Sequence, residues 1–275
     1  MKRKLSVRFY AVKRLRKTDP LLASVLDEIY KKPLGDRKVD CDGMRFRLER
    51  LNKSNSKVFG ELNRIQEDDY PSEITDDGAK PLGVNSDLGH GVVFCFDPTR
   101  HLIAIPWDPN LRSMVKFEAY LSNAHPGAAF HFEPRMKKDA WLEFEQHPIK
   151  RFSVSLAGFE GLSGLEGDKQ SAFEGLTRFG SGYNSHTLKL TLSRGHKGGS
   201  LMEGIKSIAS ELLAKADVRG MSAKTDVKGD GEINLIDQVL SESVEVDFPR
   251  NDPIERYARL SKVLELAMIK NKDNL

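Results

Sequence analysis

The residues best placed to do chemistry in this sequence are cations rather than nucleophiles. Arg194-Gly195-His196-Lys197-Gly198-Gly199 lies between an alternating strand pattern (Leu188, Leu190, Leu192) and a helix opened by Ser200 and Glu203, which have capping-box spacing. Glycines let backbone N–H groups approach a ligand, and a helix N-terminus is electropositive. Such a loop suits a phosphate oxygen, although a solvated loop would have the same composition. A second basic run comes first in the chain: Lys2, Arg3, Lys4, Arg8, Lys13, Arg14, Arg16 and Lys17, with no acid among them. The sign reverses at Glu67, Asp68, Asp69, Glu73, Asp76 and Asp77. A formal net charge of only +3 hides this segregation. Phosphate attraction depends on the local face, not on the total.

Other chemistries find less support. The histidines fall in no metal-ligand spacing; His131 and Glu133 would share a strand face but need be no more than a surface pair. Asp226, Lys228 and Asp230-Gly231 partly match a calcium loop, but Lys228 stands where an oxygen ligand is needed, and a turn fits better. There is no Walker loop and no Gly-x-Ser-x-Gly elbow. Neither a catalytic residue nor a metal nor a cofactor is expected, and the chain reads as a binding protein more than an enzyme. A nuclease assembled from scattered Asp, Glu and Lys would leave no local pattern. Cys41 and Cys95 are the only cysteines, too few for a disulfide framework. No apolar run approaches the roughly 20 residues of a membrane helix. Charge interrupts the first ten residues where a signal peptide would be apolar. A cytoplasmic location is expected.

The positioning elements centre on residues 91–106. Gly91 to Phe96 and Leu102 to Ile105 are apolar throughout, separated by Asp97-Pro98-Thr99-Arg100, a type I turn signal. The spacing predicts a central hairpin covered on both faces. Alternation predicts strands over 4–13, 44–48, 128–133, 151–156 and 188–193, and two or three within 220–248 ending at Val244, Val246 and Phe248. Residues 58–65 read as a strand less clearly, and 66–90 as a long acidic surface loop. Asp-Pro pairs at 19, 108 and 252 signal helix starts, with Asp as N-cap and Glu255 as a capping partner in the last. Leu201, Ile205, Ile208 and Leu212 mark another helix, and shorter ones are expected over 138–146 and near Phe173. Strands and helices mix without strict alternation, so the expected class is α+β with largely antiparallel sheet. The expected division is an α+β part over 1–157, a Gly/Ser-rich connection over 158–185 and a second α+β part over 186–275.

The order of parts resembles the RexA-like phage exclusion proteins. The similarity rests on Phe9-Tyr10-Ala11 in the first strand, a leucine-bearing early helix and the apolar hairpin. It continues through Glu133-Pro134 before a basic segment, Arg151-Phe152-Ser153-Val154, and Ala223-Lys224 before an acidic glycine-containing turn. Their architecture is in turn similar to parts of RdgC. The resemblance implies a homodimer that binds double-stranded DNA without sequence preference in antiviral defence, with a separate membrane partner. It also implies a phosphate contact at Lys224. Candidate phosphate contacts are therefore Arg194, Lys197 and Lys224, followed by Arg14 and Arg16. The alternatives are a metal-dependent nuclease effector and a protein-sensing module whose acidic 66–77 loop meets a basic phage protein.

Overall fold

The computed structural model describes residues 2–41, 43–67, 70–83, 86–107, 114–137, 144, 146–157, 187–194, 201, 204–215, 218–225, 232–235, 239–249 and 252–275. The chain begins with β1 (Lys2–Arg14), α1 (Leu22–Lys31), β2 (Lys38–Cys41), β3 (Met44–Ser54) and β4 (Lys57–Gln66). A small hairpin follows, β5 (Glu73–Thr75) and β6 (Gly78–Lys80), then β7 (Leu88–Asp97) and β8 (Leu102–Pro106). Next come α2 (Met114–Ala124), β9 (Phe130–Pro134), β10 (Ile149–Ala157) and β11 (Thr187–Ser193). Last are α3 (Gly204–Lys215), β12 (Val218–Thr225), β13 (Glu232–Asn234), β14 (Ser241–Asp247) and α4 (Pro253–Lys270). The class is α+β, as expected, and the strand pairs are antiparallel. Among the described residues no helix is long and apolar enough to cross a membrane.

The large sheet runs β14-β1-β8-β7-β4-β3-β2, with β9 also pairing the second half of β1. The β7–β8 hairpin is central, and helices cover both its faces. On one side Tyr10, Val12, Phe46, Leu62, Phe94 and Ile103 pack with Val25, Leu26 and Ile29 of α1 and Phe117 and Leu121 of α2. On the other, Val7, Phe9, Val93, Cys95 and Ala104 pack with Leu260, Leu264 and Met268 of α4. Two-sided burial explains why β7 and β8 lack polar alternation. Their turn forms as expected: Asp97 Oδ1 accepts from the N–H groups of Thr99 (3.0 Å) and Arg100 (3.2 Å). His101 closes it at φ 51°. β14 and α4, from the last third of the chain, complete this sheet.

The small sheet runs β11-β10-β12-β13, with α3 on one face. Helix α3 also lies against β9 and α2, which seats the small sheet beside the large one.

Some sequence expectations need correction. Residues 66–90 are not all loop: β5 and β6 pair within them, and β7 begins at Leu88. Residues 44–66 form a continuous hairpin turned by Asn55 and Ser56, both at positive φ (51° and 60°). Asp19 does not cap α1, whose N-cap is Leu21 without a side-chain bond. Its buried carboxylate instead accepts from the Arg16 backbone N–H (3.0 Å) and pairs with Arg16 Nε (2.9 Å). Asp252 does cap α4, accepting from the N–H groups of Ile254 and Glu255, both at 2.9 Å. The Glu255 carboxylate pairs with Arg259 one turn on. The helix starts expected at 108 and 200, the helix near 173 and the turn at 228–231 lie outside the described residues, as does the helix expected over 138–146 except at 144 and 146, which are helical, with Phe144 buried.

Close approaches fix the core on the α1/α2 side. Gly60 stands opposite Phe94 in register, and a Cβ there would run into the Phe94 ring. Tyr120 is fully buried, and burial pushes its phenol up to about 12. Its hydroxyl accepts from Leu48 N–H (3.0 Å) and donates to Arg37 C=O (3.0 Å), where the β2–β3 ladder ends at Lys38 and Arg47. We expect Gly60→Ala to cost about 2 kcal/mol through overpacking, and less where Phe94 is already Leu. Strict additivity in denaturant unfolding would contradict the contact. Tyr120→Phe should cost about 2 kcal/mol by orphaning a buried donor and acceptor.

Candidate nucleic-acid interface

The small sheet grows from the alternation of β10. Phe152, Val154 and Leu156 are buried with Met221 and Ala223 of β12, against Ile205, Ala209 and Leu212 of α3. Arg151, Ser153 and Ser155 therefore point the other way. Pairing lines them up with like residues: Ser193–Arg151–Lys224 in one row, Thr191–Ser153–Ser222–Asn234 in the next and Lys189–Ser155–Gly220 in the third. Register shifts next to Arg151 and Ser155 let β12 stay in step.

This open face lines a concavity of about 620 Å³ that Arg151, Ser153, Ser155, Lys189, Gly220 and Asn234 help to form. Ser153 and Thr191 share a hydrogen bond across its floor (3.2 Å). No ion pair engages Arg151 or Lys189 among the described residues. Arg151 and Lys189 stand roughly 14 Å apart, four residues along and one strand across. A carboxylate residue is also present, since Glu232 is opposite Lys224 in register. Small and hydroxylated residues between the cations would let a ligand's backbone lie close and accept hydrogen bonds.

The candidates from sequence are distributed unevenly. Lys224 lies on this face beside Arg151 in register, but is not among the residues lining the concavity. Arg194 sits one residue beyond β11, its backbone N–H on Lys150 C=O (3.2 Å), and is not among the residues lining the concavity. Lys197 lies outside the described residues. Arg14 ends β1, Arg16 follows it, and the two close a loop: Arg14 Nη1 donates to the carbonyls of Lys17 (3.2 Å) and Asp19 (3.0 Å), and Arg16 Nη2 donates to Gly127 C=O (3.2 Å). Arg151 and Lys189 were not selected from sequence. The signal was a basic residue in phase with Ser153, Ser155 and Thr191 on the polar side of two amphipathic strands. His131 and Glu133 take separate partners, Glu118 (3.1 Å) and Lys13 (2.5 Å). Among the described residues no group of His, Cys, Asp and Glu could hold a metal ion.

A second charged cluster lies on the α4 side of the large sheet, where Arg50 pairs with Glu61 and Arg47 with Glu49 (2.7 Å). Glu61 is 5% exposed and lies over Gly91, where a Cβ would meet its carboxylate. Burial raises its carboxyl above the ordinary value, and Glu49 adds to this, while Arg50 and Arg256 oppose it. Tyr257 is beside it, its phenol pushed up to about 12 by burial. Each carboxylate already has its arginine, so this cluster ties β3 to β4 instead of leaving a charge for a ligand.

No protein-family model matches the sequence, and no curated protein does either.

The raised carboxyl of Glu61 has a defined sign. The folded chain holds that proton to higher pH than the unfolded chain. Its contribution to stability is therefore present in acid and lost as pH rises through the folded pKa. We expect the melting temperature of the natural chain, relative to Glu61→Gln, to fall as pH rises above the ordinary glutamate value of about 4.3. A difference that rises instead would contradict the burial argument.

Proposed function

We propose that the protein binds double-stranded DNA without sequence preference, seating the phosphate backbone on the open face of the small sheet. The observation that carries this reading is the row-by-row convergence of Arg151, Lys189 and Lys224 among hydroxyls. Single-strand binders stack bases on aromatic rings. Among the described residues this face carries none, which favours contact with backbone over contact with bases. The resemblance to RexA-like proteins supports the same ligand, and with it a cytoplasmic homodimer acting in phage exclusion. No bond is made or broken in this reading; cations displace counterions from phosphates.

A second reading has its own observation. The β5–β6 hairpin exposes Ile74 (79%) beside Glu73, Asp76 and Asp77, which suits a basic protein partner. Capture of such a partner that survives nuclease treatment, and is lost in Ile74→Asp, would favour it.

For the DNA reading, fluorescence anisotropy on unrelated duplexes should give equal affinities that fall with salt, with a log–log slope of about −3 for three phosphate contacts. Arg151→Ala with Lys189→Ala should reduce the slope by about 2 and weaken binding at least tenfold near physiological salt. Gly220→Glu should abolish binding while leaving the fold intact, because an added Cβ meets only Ser155 Cβ at 3.5 Å. Unchanged binding in these variants, or binding indifferent to salt, would overturn the assignment.

A further inference from the structure

The large sheet carries one patch that neither its core nor the small sheet explains. On the α1/α2 side of β1, the face that holds Tyr10 and Val12 continues outward as Arg8, Ser6, Lys4 and Lys2. Their partners in β14 are Ser241, Ser243, Glu245 and Asp247. Ser6, Ser241 and Ser243 are all exposed. Trp107 closes this half-face. It follows β8, and its backbone N–H donates to Ser6 C=O (2.7 Å). The guanidinium carbon of Arg8 stands 3.8 Å from the indole centroid, yet the tryptophan remains 40% exposed.

A large indole left in water forgoes burial, so its placement calls for a reason. Here the backbone bond and the Arg8 stack hold the ring in one orientation instead of folding it into the core. Ser6, whose carbonyl takes the Trp107 N–H, and Ser241 and Ser243 opposite Arg8 and Ser6 on β14 put hydroxyls on the same half-face. Charge does not dominate: Lys4 faces Glu245 and Lys2 faces Asp247, and only Arg8 faces a hydroxyl residue, Ser241. The ligand that fits has a flat π-face, hydrogen-bonding edges and little need of a strong field. Bases within a duplex are stacked on one another and cannot present that face; unpaired bases can.

We propose that Trp107 and Arg8 form a stacking platform for an unpaired nucleobase of single-stranded nucleic acid. It is separate from the small-sheet face. Because its charges are nearly balanced, binding here depends far less on salt than binding there.

The chain has two tryptophans, Trp107 and Trp141, so Trp141→Phe leaves Trp107 as the sole indole reporter. Should that variant not fold, the difference between the natural chain and Trp107→Phe reads the same signal. The probe is oligothymidylate, compared with a blunt duplex, at about 0.3 M salt to screen the phosphate contacts. The single strand is expected to quench Trp107 fluorescence saturably, and the duplex is not. Trp107→Ala should weaken single-strand binding about tenfold. Arg8→Lys, which keeps charge but loses the flat guanidinium, should weaken it as well. The pair Arg151→Ala with Lys189→Ala should leave the quenching unchanged, which separates this site from the one proposed above. Absence of quenching by the single strand, equal quenching by the duplex, or quenching that follows protein concentration without nucleic acid would each overturn the proposal. The last result would mean that a second copy of the chain covers the ring.

Discussion

Each face of a β-sheet must be buried or wet, and the two sheets of this protein meet that constraint differently. The large sheet has helices on both sides, α1 and α2 on one and α4 on the other, so its centre is apolar on both. Among the described residues the small sheet has only α3. Its second face is therefore polar, and every alternate residue of β10, β11 and β12 is free to be chosen for what it contacts instead of how it packs. The concave basic surface exists because one layer of this architecture is missing among the described residues.

That surface also depends on register. Arg151, Lys189 and Lys224 are separated by dozens of residues in the chain, and antiparallel pairing brings them together. A slip of one residue in either neighbour of β10 would turn its cation into the α3 core, where an unpaired charge is prohibitive. The burial of Phe152, Val154 and Leu156 thus fixes the polar face as firmly as it fixes the apolar one. The Arg8–Trp107 stack has a different origin, since it lies where β1 and β14 run beyond the cover of α1 and α2. Phosphate and base contacts would then belong to different sheets.

What the sequence revealed follows from the range of each interaction. The β7–β8 hairpin was legible because its turn bonds are local to Asp97 and its apolar runs are continuous. Helix α4 was legible because Asp252 caps its own next residues. Asp19 misled because an identical Asp-Pro signal is satisfied differently when an arginine three residues earlier takes the carboxylate. Asp19 also explains Arg14 and Arg16: its carboxylate takes Arg16 and its backbone carbonyl takes Arg14, two residues beyond the end of the acid-free run at Lys17. Both strands of the β3–β4 hairpin were legible, but their turn was not, because Ser56 is an unusual residue for a left-handed turn position. The basic face of the small sheet could not be read from counts of charge along the chain, since its members become neighbours only through strand pairing.

The most direct measurement is photochemical cross-linking of the full chain to a duplex, with the attached peptides mapped by mass spectrometry. This account predicts cross-links within 149–157, 187–193 and 218–225, from the three strands that share the open face. Cross-links confined to the strands of the large sheet, with those three segments unmodified, would contradict it.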